Sequence, residues 1–242
     1  MEKSNHGCSI IIPTYREANN ISPLINAIVK LNLAIPYQVI IVDDNSNDET
    51  QEIIKALQTQ FAWLHLITRY QKKSLSLSII EGFNQAKYSI LCVMDADLSH
   101  PVEKIPALLT ALNDSTIDMV IGSRYVKNGS SDKTYSFARM LMSHCIAHFT
   151  RFLLNLSVRD PLSGFFALRK NDYLKHINKI NPIGWKIGLE LIVKCRYKNI
   201  KEIPIHFSQR LHGKSNLSLR ICIEIIQHIL QLKRVITKQK TN

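Results

Sequence analysis

Cysteine pairs and long apolar runs are both missing from this chain of 242 residues. The five cysteines are odd in number and widely scattered, without a Cys-x-x-Cys pair, so we expect neither a disulfide framework nor a zinc site. The most apolar stretch, residues 217–236, is interrupted by charged side chains such as Arg220, Glu224 and Lys233, whereas a bilayer span needs roughly 20 mostly apolar residues. The first eight residues lack the apolar core of a signal peptide. These absences predict a protein of the reducing cytoplasm.

Charge is distributed unevenly in a composition that is otherwise typical of a globular protein. Residues 1–121 carry 9 Lys and Arg against 13 Asp and Glu, a net of −4, whereas residues 122–242 carry 22 against 6, a net of +16. This asymmetry indicates an anionic partner for the second half: nucleic acid, a membrane surface or a phosphorylated substrate. A basic surface that serves only solubility is the alternative.

Strand and helix patterns alternate along the first half. Apolar runs predict strands at residues 9–13, 38–42, 64–68, 88–94 and 119–123. Helical spacing predicts helices at residues 17–31, 49–59, 76–86 and 101–112. Such alternation is typical of βαβ units, so we expect an α/β fold with a Rossmann-like, mainly parallel sheet flanked by helices.

The second half continues with helical patterns at residues 137–156 and 184–197 and a strand at 202–207. A closing helix at 217–236 combines a wide apolar face with a polar stripe. This pattern predicts a C-terminal amphipathic helix. It packs on the core, lies in the plane of a membrane, or docks on a membrane partner.

Polar clusters follow three of the predicted strands, at residues 14–17, 43–48 and 95–100. Ligands of open α/β sheets bind at that edge, so these clusters are expected to converge. The third cluster begins with Asp95-Ala96-Asp97, directly after an apolar run. Two carboxylates spaced i, i+2 at a strand tip can face one hard divalent cation, which can carry the diphosphate of a nucleotide. Taken alone, the motif could also be a solvated acidic turn.

An ordered set of motifs carries a family resemblance. The motifs are Pro13-Thr14-Tyr15-Arg16-Glu17, Val42-Asp43-Asp44-x-Ser46-x-Asp48, Asp95-Ala96-Asp97-Leu98-Ser99-His100-Pro101 and Gly122-Ser123-Arg124-Tyr125. In this order they resemble the inverting family-2 glycosyltransferases of GT-A fold. Three later motifs are Asp160-Pro161-x-Ser163-Gly164-Phe165, Gly184-Trp185-Lys186-x-x-Leu189-Glu190 and Phe207-x-x-Arg210-x-x-Gly213-x-Ser215. With them, the chain resembles the dolichol-phosphate (polyprenol-phosphate) mannosyltransferases over residues 9–217.

The resemblance implies a role for each matching position. The implied donor-binding residues are Pro13, Tyr15, Glu17, Val42, Asp44, Asp95, Ala96, Asp97, Ser99, Arg124, Arg210 and Asn216. A divalent cation, Mg²⁺ or Mn²⁺, would be held by Asp95, Asp97 and Ser99. The acceptor phosphate would be held by Arg124, Arg139 and Ser143, of which the last two are four residues apart and share a helix face. The implied catalytic residues are Asp97, Arg124 and Arg139.

The activity implied by the resemblance is metal-dependent, inverting transfer of a hexose to a polyprenyl (dolichyl or undecaprenyl) phosphate, giving a β-linked lipid-phosphate sugar. Mannose from GDP-mannose is the expected donor, and UDP-glucose is the alternative. Because the acceptor phosphate is already anionic at neutral pH, catalysis requires positioning and charge neutralisation rather than a general base. A non-catalytic sugar-nucleotide-binding subunit is an alternative from another class. Nucleic-acid binding is not expected, because no recognised motif is present.

Three positions depart from the family pattern. Ser99 replaces a metal-binding glutamine, Asn216 replaces the lysine of a Ser-Lys pair, and Ser74 replaces a glycine. These changes leave open an altered donor or a weaker activity, although Lys214 could substitute for the missing lysine. We expect a catalytic domain over residues 1–216 and an amphipathic helix with a polar tail over 217–242. The expected location is the cytoplasmic face of a membrane, reached peripherally through the closing helix and basic face or through an integral membrane partner.

Overall fold

The computed structural model describes residues 5–132, 137–182, 186–213 and 219–241. The strands of these residues, in chain order, are β1 (Cys8–Thr14), β2 (Tyr37–Asp43), β3 (Leu64–Thr68), β4 (Ile90–Val93), β5 (Met119–Ser123), β6 (Ser130–Ser131), β7 (Phe166–Arg169), β8 (Ile200–Pro204) and β9 (His206–Phe207). Seven of them form one sheet in the order β3-β2-β1-β4-β7-β5-β8. Its strand pairs are parallel except those of β7, which lies antiparallel between β4 and β5. A separate parallel pair is formed by β6 and β9.

Helices connect these strands. In chain order they are α1 (Ala18–Lys30), α2 (Thr50–Gln58), α3 (Leu75–Gln85), α4 (Ile105–Ala111), α5 (Phe137–Leu154), α6 (Lys170–Leu174), α7 (Ile187–Lys194) and α8 (Leu219–Thr241), with 3₁₀ helices at Val102–Lys104 and Ile177–Lys179. Ser74 explains where α3 begins, because its hydroxyl accepts a hydrogen bond from the Leu77 backbone N–H at 3.3 Å. Within the described residues, no helix is both long and apolar enough to cross a bilayer.

The core covers both faces of the sheet. Along β1, Ile10 and Ile12 pack with α1, α2 and α4, whereas Ile11 packs on the opposite face with α3 and α7. A strand buried on both faces is apolar at consecutive positions, which is why the middle of β1 (residues 10–13) and of β2 (residues 39–42) are continuous apolar runs. Fully burying each such isoleucine contributes about 1.5–3 kcal/mol.

The C-terminal helix α8 closes a third apolar cluster. Ile225 and Ile229 are buried against Leu154 of α5 and Leu189 of α7. On the same side, Nε2 of His228 lies 3.5 Å from a carboxylate oxygen of the wholly buried Glu190. Other apolar side chains of α8, at Ile223, Ile226 and Leu230, are exposed. The helix therefore packs on the core and also presents apolar surface to solvent.

The predicted α/β fold with a mainly parallel sheet is confirmed, and several boundaries differ from the prediction. The strand predicted at 202–207 is two strands, because Ile205 donates to the Ser123 carbonyl and then accepts from Ser130. The chain thereby leaves β5 and pairs with β6. Helix α5 ends before the predicted residue 156, since Asn155 adopts a left-handed φ of 53°. The antiparallel β7 was not predicted.

Candidate active site

One cavity of about 850 Å³ opens where the predicted polar clusters meet. The carboxyl ends of β1, β2, β4 and β5 all contribute to its wall. Ten residues predicted from the sequence line it: Pro13, Tyr15, Glu17, Asp44, Asp95, Ala96, Asp97, Arg124, Ser143 and Arg210. The structure therefore brings together segments that are up to 197 residues apart in the chain; the binding role of each residue stays a prediction.

Four other predicted residues are placed differently. The side chain of Val42 is wholly buried in the core beside Gly82, and Ser99 is wholly buried next to Asp97. The Arg139 side chain and Asn216 lie outside the described part of the chain. A contact between Val42 and a nucleotide would therefore involve its backbone.

Asp97 is almost wholly buried, and both of its carboxylate oxygens are engaged. Oδ1 accepts hydrogen bonds from the Ser99 backbone N–H at 3.0 Å and from its hydroxyl at 2.6 Å. Oδ2 lies 3.0 Å from Nε of Arg210. The tight turn requires a left-handed φ of 60° at Leu98, which costs a non-glycine residue about 1–2 kcal/mol. Ser99 thus orients Asp97, and its role as a metal ligand stays a prediction.

The loop that carries Arg210 is attached to the Asp-x-Asp segment by its backbone. Ser208 N–H donates to the Ser99 carbonyl at 3.1 Å, and Leu211 N–H donates to the Asp97 carbonyl at 3.0 Å. Two main-chain hydrogen bonds therefore hold this loop over the cavity floor. Arg210 and Asp97 meet because of this attachment.

Asp95 is the more accessible of the two carboxylates, with 36% of its side chain exposed. Its backbone N–H donates to Nδ1 of His100 at 3.0 Å, which requires that nitrogen to be unprotonated. Burial lowers the pKa of His100, and its ring stacks on Phe165 at 5.2 Å between centroids. His100 is therefore neutral and holds the backbone of Asp95 through this hydrogen bond. The Asp95 carboxylate faces the cavity.

Arg124 is held rigidly by Asp160. Asp160 is wholly buried, and it accepts from Nε and Nη2 of Arg124 at 2.8 Å each and from the Arg124 backbone N–H at 3.1 Å. The backbone N–H of Asp160 in turn donates to Glu202 of β8 at 3.0 Å. A bidentate pair of this kind fixes the plane of the guanidinium as well as its position. Asp160 belongs to one of the motifs, although the sequence alone did not assign it a role.

The side of the cavity next to β2 and β3 contains a second buried ion pair. Asp44 pairs with Arg69 and accepts from the Ser78 hydroxyl at 2.9 Å and the Ser74 backbone N–H at 2.8 Å. Its neighbour Asp43 has a structural role, since it accepts from Thr14 at 2.9 Å and so links β2 to β1. Only the second aspartate of the pair therefore faces the cavity.

Tyr15, Lys73 and Glu17 complete this side. Nζ of Lys73, which the sequence did not single out, lies 3.7 Å from the centre of the Tyr15 ring, a cation–π contact. Burial raises the pKa of Glu17. The nearby negative charges of Asp97 and Asp95 add to this increase, and a hydrogen bond from Asn20 opposes it. Three carboxyl groups, those of Glu17, Asp95 and Asp97, therefore lie near one another, and Arg210 offsets part of their charge.

The opposite end of the cavity is formed by α5 and α8. The Tyr125 hydroxyl hydrogen-bonds the Ser143 hydroxyl at 2.8 Å, and its ring lies 4.1 Å from that of His144. Beyond this polar group the wall becomes apolar, with Met140, Ile146, Leu162, Ile221 and Ile225. The cavity thus changes from a charged floor to an apolar end.

The carboxylates fit a divalent cation that is shared with a ligand. Among the described residues, no group of three or more His, Cys, Asp and Glu side chains is arranged to hold a metal. Asp95 and Asp97 nevertheless offer hard oxygen donors at the cavity wall, and Mg²⁺ is usually bound by one or two carboxylates plus substrate phosphates and water. A cation would also offset the negative charges of Asp97 and Asp95, which add to the effect of burial in raising the pKa of Glu17.

A Rossmann-like sheet with an Asp-x-Asp segment at its carboxyl edge and an arginine-bearing cavity beside it defines a glycosyltransferase of GT-A fold. A family model, Glycosyl transferase family 2, matches residues 9–177, and the chain belongs to that family. Three similar proteins are named dolichol-phosphate mannosyltransferase. The protein of Pyrococcus furiosus is 38% identical over 93% of this chain, that of Mycosarcoma maydis 35% over 96%, and that of Saccharomyces cerevisiae 36% over 93%. The chain spans 63%, 80% and 86% of their respective lengths.

Solved structures support the fold assignment. Glucosyl-3-phosphoglycerate synthase from Mycobacterium tuberculosis, in complex with Mn²⁺, UDP and glucosyl-3-phosphoglycerate, aligns with a TM-score of 0.66 at 18% identity. The alignment covers 94% of this chain and 78% of that one. The same enzyme in complex with Mg²⁺ and UDP also gives a TM-score of 0.66, at 17% identity, covering 94% of this chain and 79% of that one. At this identity the likeness establishes the fold alone.

Proposed function

We propose that the protein transfers mannose from GDP-mannose to a polyprenyl phosphate and inverts the anomeric centre. One observation carries this proposal: a single cavity joins the Asp95–Asp97 carboxylates, the clamped Arg124 and an apolar end formed by α5 and α8. A nucleotide sugar fits the first region, a phosphate the second and an isoprenoid chain the third. The name shared by the three similar proteins, dolichol-phosphate mannosyltransferase, supports mannose as the transferred sugar and a dolichyl phosphate as the acceptor.

The reaction needs no proton transfer to begin. An oxygen of the acceptor phosphate attacks the anomeric carbon from the face opposite the leaving group. The bond between that carbon and the diphosphate oxygen breaks, GDP departs, and the product is a β-linked lipid-phosphate mannose. Both the nucleophile and the leaving group are anions, so catalysis depends on holding them in line and on neutralising their charge.

Different residues of the cavity would orient the acceptor and stabilise the charge of the donor. Arg124, fixed by Asp160, holds the attacking phosphate in one orientation, and Ser143, linked to Tyr125, lies beside it. Asp95 and Asp97 would hold Mg²⁺ or Mn²⁺, which would stabilise the negative charge of the diphosphate. Arg210 neutralises Asp97 in the present structure and is placed to contact the donor phosphates.

We further propose that α5 and α8 place this cavity at the cytoplasmic face of a membrane. Phe149 and Phe152 of α5 are 40% and 82% exposed, and Ile223 and Leu230 of α8 are exposed as well. Since the apolar end of the cavity lies between the same helices, an isoprenoid chain that leaves it would enter the lipid beside them. Phe152→Glu should reduce co-sedimentation with anionic vesicles, whereas Tyr70→Glu, at an exposed site that follows β3 and lies outside α5 and α8, should not. Equal binding by the two variants would contradict this orientation.

The test of the proposed activity is a product assay. Purified protein, a short polyprenyl phosphate and Mg²⁺ or Mn²⁺ are offered GDP-mannose and UDP-glucose in parallel, with a chelator control. We expect a lipid-phosphate mannose from GDP-mannose that is lost on chelation. Product from UDP-glucose alone would show that the donor is UDP-glucose and not GDP-mannose. Nucleotide binding without product would favour a non-catalytic sugar-nucleotide-binding subunit.

A further inference from the structure

The positively charged side chains of the cavity differ in whether another side chain is paired with them. Arg124 is paired with the buried Asp160, and Arg210 with Asp97. Lys73 lies over the Tyr15 ring on the donor side. Lys186 also lines the cavity, and no hydrogen bond or ion pair joins its ammonium group to another residue within the described ranges. This ammonium group is therefore a candidate ligand for an anionic group of a substrate.

Local packing places Lys186 at the junction between the two substrate regions. Lys186 directly precedes α7. The first turn of α7 packs closely on the turn formed by residues 160–164, since a Cβ at Gly188 would lie 3.4 Å from the Ser163 carbonyl. In the same turn, a Cβ at Gly164 would lie 3.5 Å from a carboxylate oxygen of Asp95. The turn that contains Asp160 thus lies between α7 and the Asp-x-Asp segment. The Lys186 ammonium interacts electrostatically with three charged side chains, those of Asp95, Arg124 and Asp160.

Charge matching indicates which phosphate Lys186 would meet. A donor diphosphate carries about two negative charges, which a divalent cation offsets. A phosphate monoester carries about 1.5–2 negative charges at neutral pH. On the acceptor side, Arg124 already has its charge balanced by Asp160. An acceptor phosphate therefore requires cations besides Arg124. Arg139 is one that the family resemblance implies. Lys186, which lines the same cavity as Arg124 and has no direct anionic partner among the described residues, is another.

We propose that Lys186 is a further cation of the acceptor-phosphate site, where it binds an oxygen of the polyprenyl phosphate that Arg124 also contacts. This assignment rests on the proposed function and adds a residue to it. An ammonium group contributes a point charge that can follow the phosphate as its oxygen attacks, whereas the clamped guanidinium of Arg124 fixes orientation. The two cations therefore have different tasks at one site.

Steady-state kinetics of Lys186→Met and Lys186→Arg test this role. Methionine keeps most of the length of the side chain and removes its charge. We expect kcat/KM for the polyprenyl phosphate to fall about 10- to 100-fold in Lys186→Met, the range for a lost hydrogen bond to a charged group. The KM for GDP-mannose should change less than about twofold, and Lys186→Arg should recover most of the loss. A purely structural role would not separate the two substrates in this way.

Two matched variants and a second measurement complete the test. Lys73→Met removes a cavity cation from the donor side and should raise the KM for GDP-mannose instead, whereas Lys175→Met, at an exposed site in a pair with Asp172, should change neither. In wild-type protein, a short polyprenyl phosphate should protect Lys186 from amine-selective acetylation, as read by mass spectrometry. This measurement needs no variant and so does not depend on how the variants fold.

Three results would overturn the assignment: unchanged acceptor kinetics in Lys186→Met, a loss confined to the donor, or acetylation of Lys186 that the acceptor does not slow. A donor-confined loss would place the ammonium on the diphosphate. Failure of the proposed function is a separate result, since wild-type protein would then give no lipid-linked sugar from either donor. Protection of Lys186 by the acceptor without turnover would still support the phosphate site.

Discussion

Replacing Asp160 with asparagine should disable Arg124 while leaving the shape of the site unchanged. Asp160 is wholly buried and receives three hydrogen bonds from Arg124, two of them from the guanidinium. Asparagine has the same size and retains one acceptor oxygen. Its amide group would face one of the guanidinium N–H groups, so that two donors meet. The partly exposed Arg124 cation would also lose its counter-ion.

The size of the effect follows from these contacts. Removing one partner of a buried ion pair costs about 3–5 kcal/mol. Because the Arg124 side chain remains 18% exposed to the cavity, water can replace part of the lost interaction, and we expect about 2–3 kcal/mol. If this loss falls on the transition state, kcat/KM for the acceptor decreases about 30- to 150-fold.

Initial rates with varied polyprenyl phosphate, combined with urea unfolding, separate catalysis from stability. The control is Asp172→Asn, which weakens surface pairs with Lys175, itself 68% exposed, and with Arg169. It should change stability by less than about 0.5–1 kcal/mol and leave the rate unchanged. Wild-type kcat/KM in folded Asp160→Asn protein would refute the reasoning, because Arg124 would then need no clamp. A loss of stability alone would assign Asp160 to the fold rather than to the site.

Three further outcomes are expected. Asp97→Ala should abolish transfer in the product assay while circular dichroism shows an intact fold; near-wild-type turnover would exclude the role of Asp97 at the metal. Because burial raises the pKa of Glu17, the folded state binds this proton more tightly than the unfolded chain, and stability falls as the pH rises from the ordinary pKa of the group through its raised value. Glu17→Gln should therefore stabilise metal-free protein against urea at pH 7 more than at pH 4, and an equal gain at both values would contradict the pKa shift. Gly82→Ala should destabilise the fold by about 1–3 kcal/mol, because the added Cβ would lie 2.5 Å from Cγ2 of Ile11, whereas in a thermal melt Gly164→Ala, whose contacts begin at 3.4 Å, should cost less.

Much of the site could be predicted because its residues follow strands. The positions of Asp44, Asp95 and Arg124 at carboxyl ends of parallel strands bring them to one edge, whatever the details of the connections. Local polar and apolar patterns are sufficient for this step. The same patterns located α1, whose buried Ile21, Leu24, Ile25 and Ile28 have helical spacing.

Contacts between distant residues were not predictable from local patterns. The clamp between Arg124 and Asp160 joins residues 36 apart in the chain, and the pairing of Arg210 with Asp97 depends on a loop held by two main-chain hydrogen bonds. The antiparallel direction of β7 was missed for a similar reason. The sequence of an apolar strand buried on both faces does not indicate whether the strand runs parallel or antiparallel to its neighbours.

The place of β7 in the sheet also determines the order in which the protein can be completed during synthesis. The strands β1 to β4 emerge first and leave β4 as an open edge, with the four buried residues Ile90–Val93. Its remaining neighbour, β7, begins only at Phe166, so roughly 70 further residues must be made before that edge is paired. Ribosomes add about 5–20 residues per second, which leaves an apolar edge exposed for several seconds in every nascent chain. An unpaired apolar edge of this kind is a template for aggregation, and chaperones that act on the growing chain would have to cover it until β7 arrives.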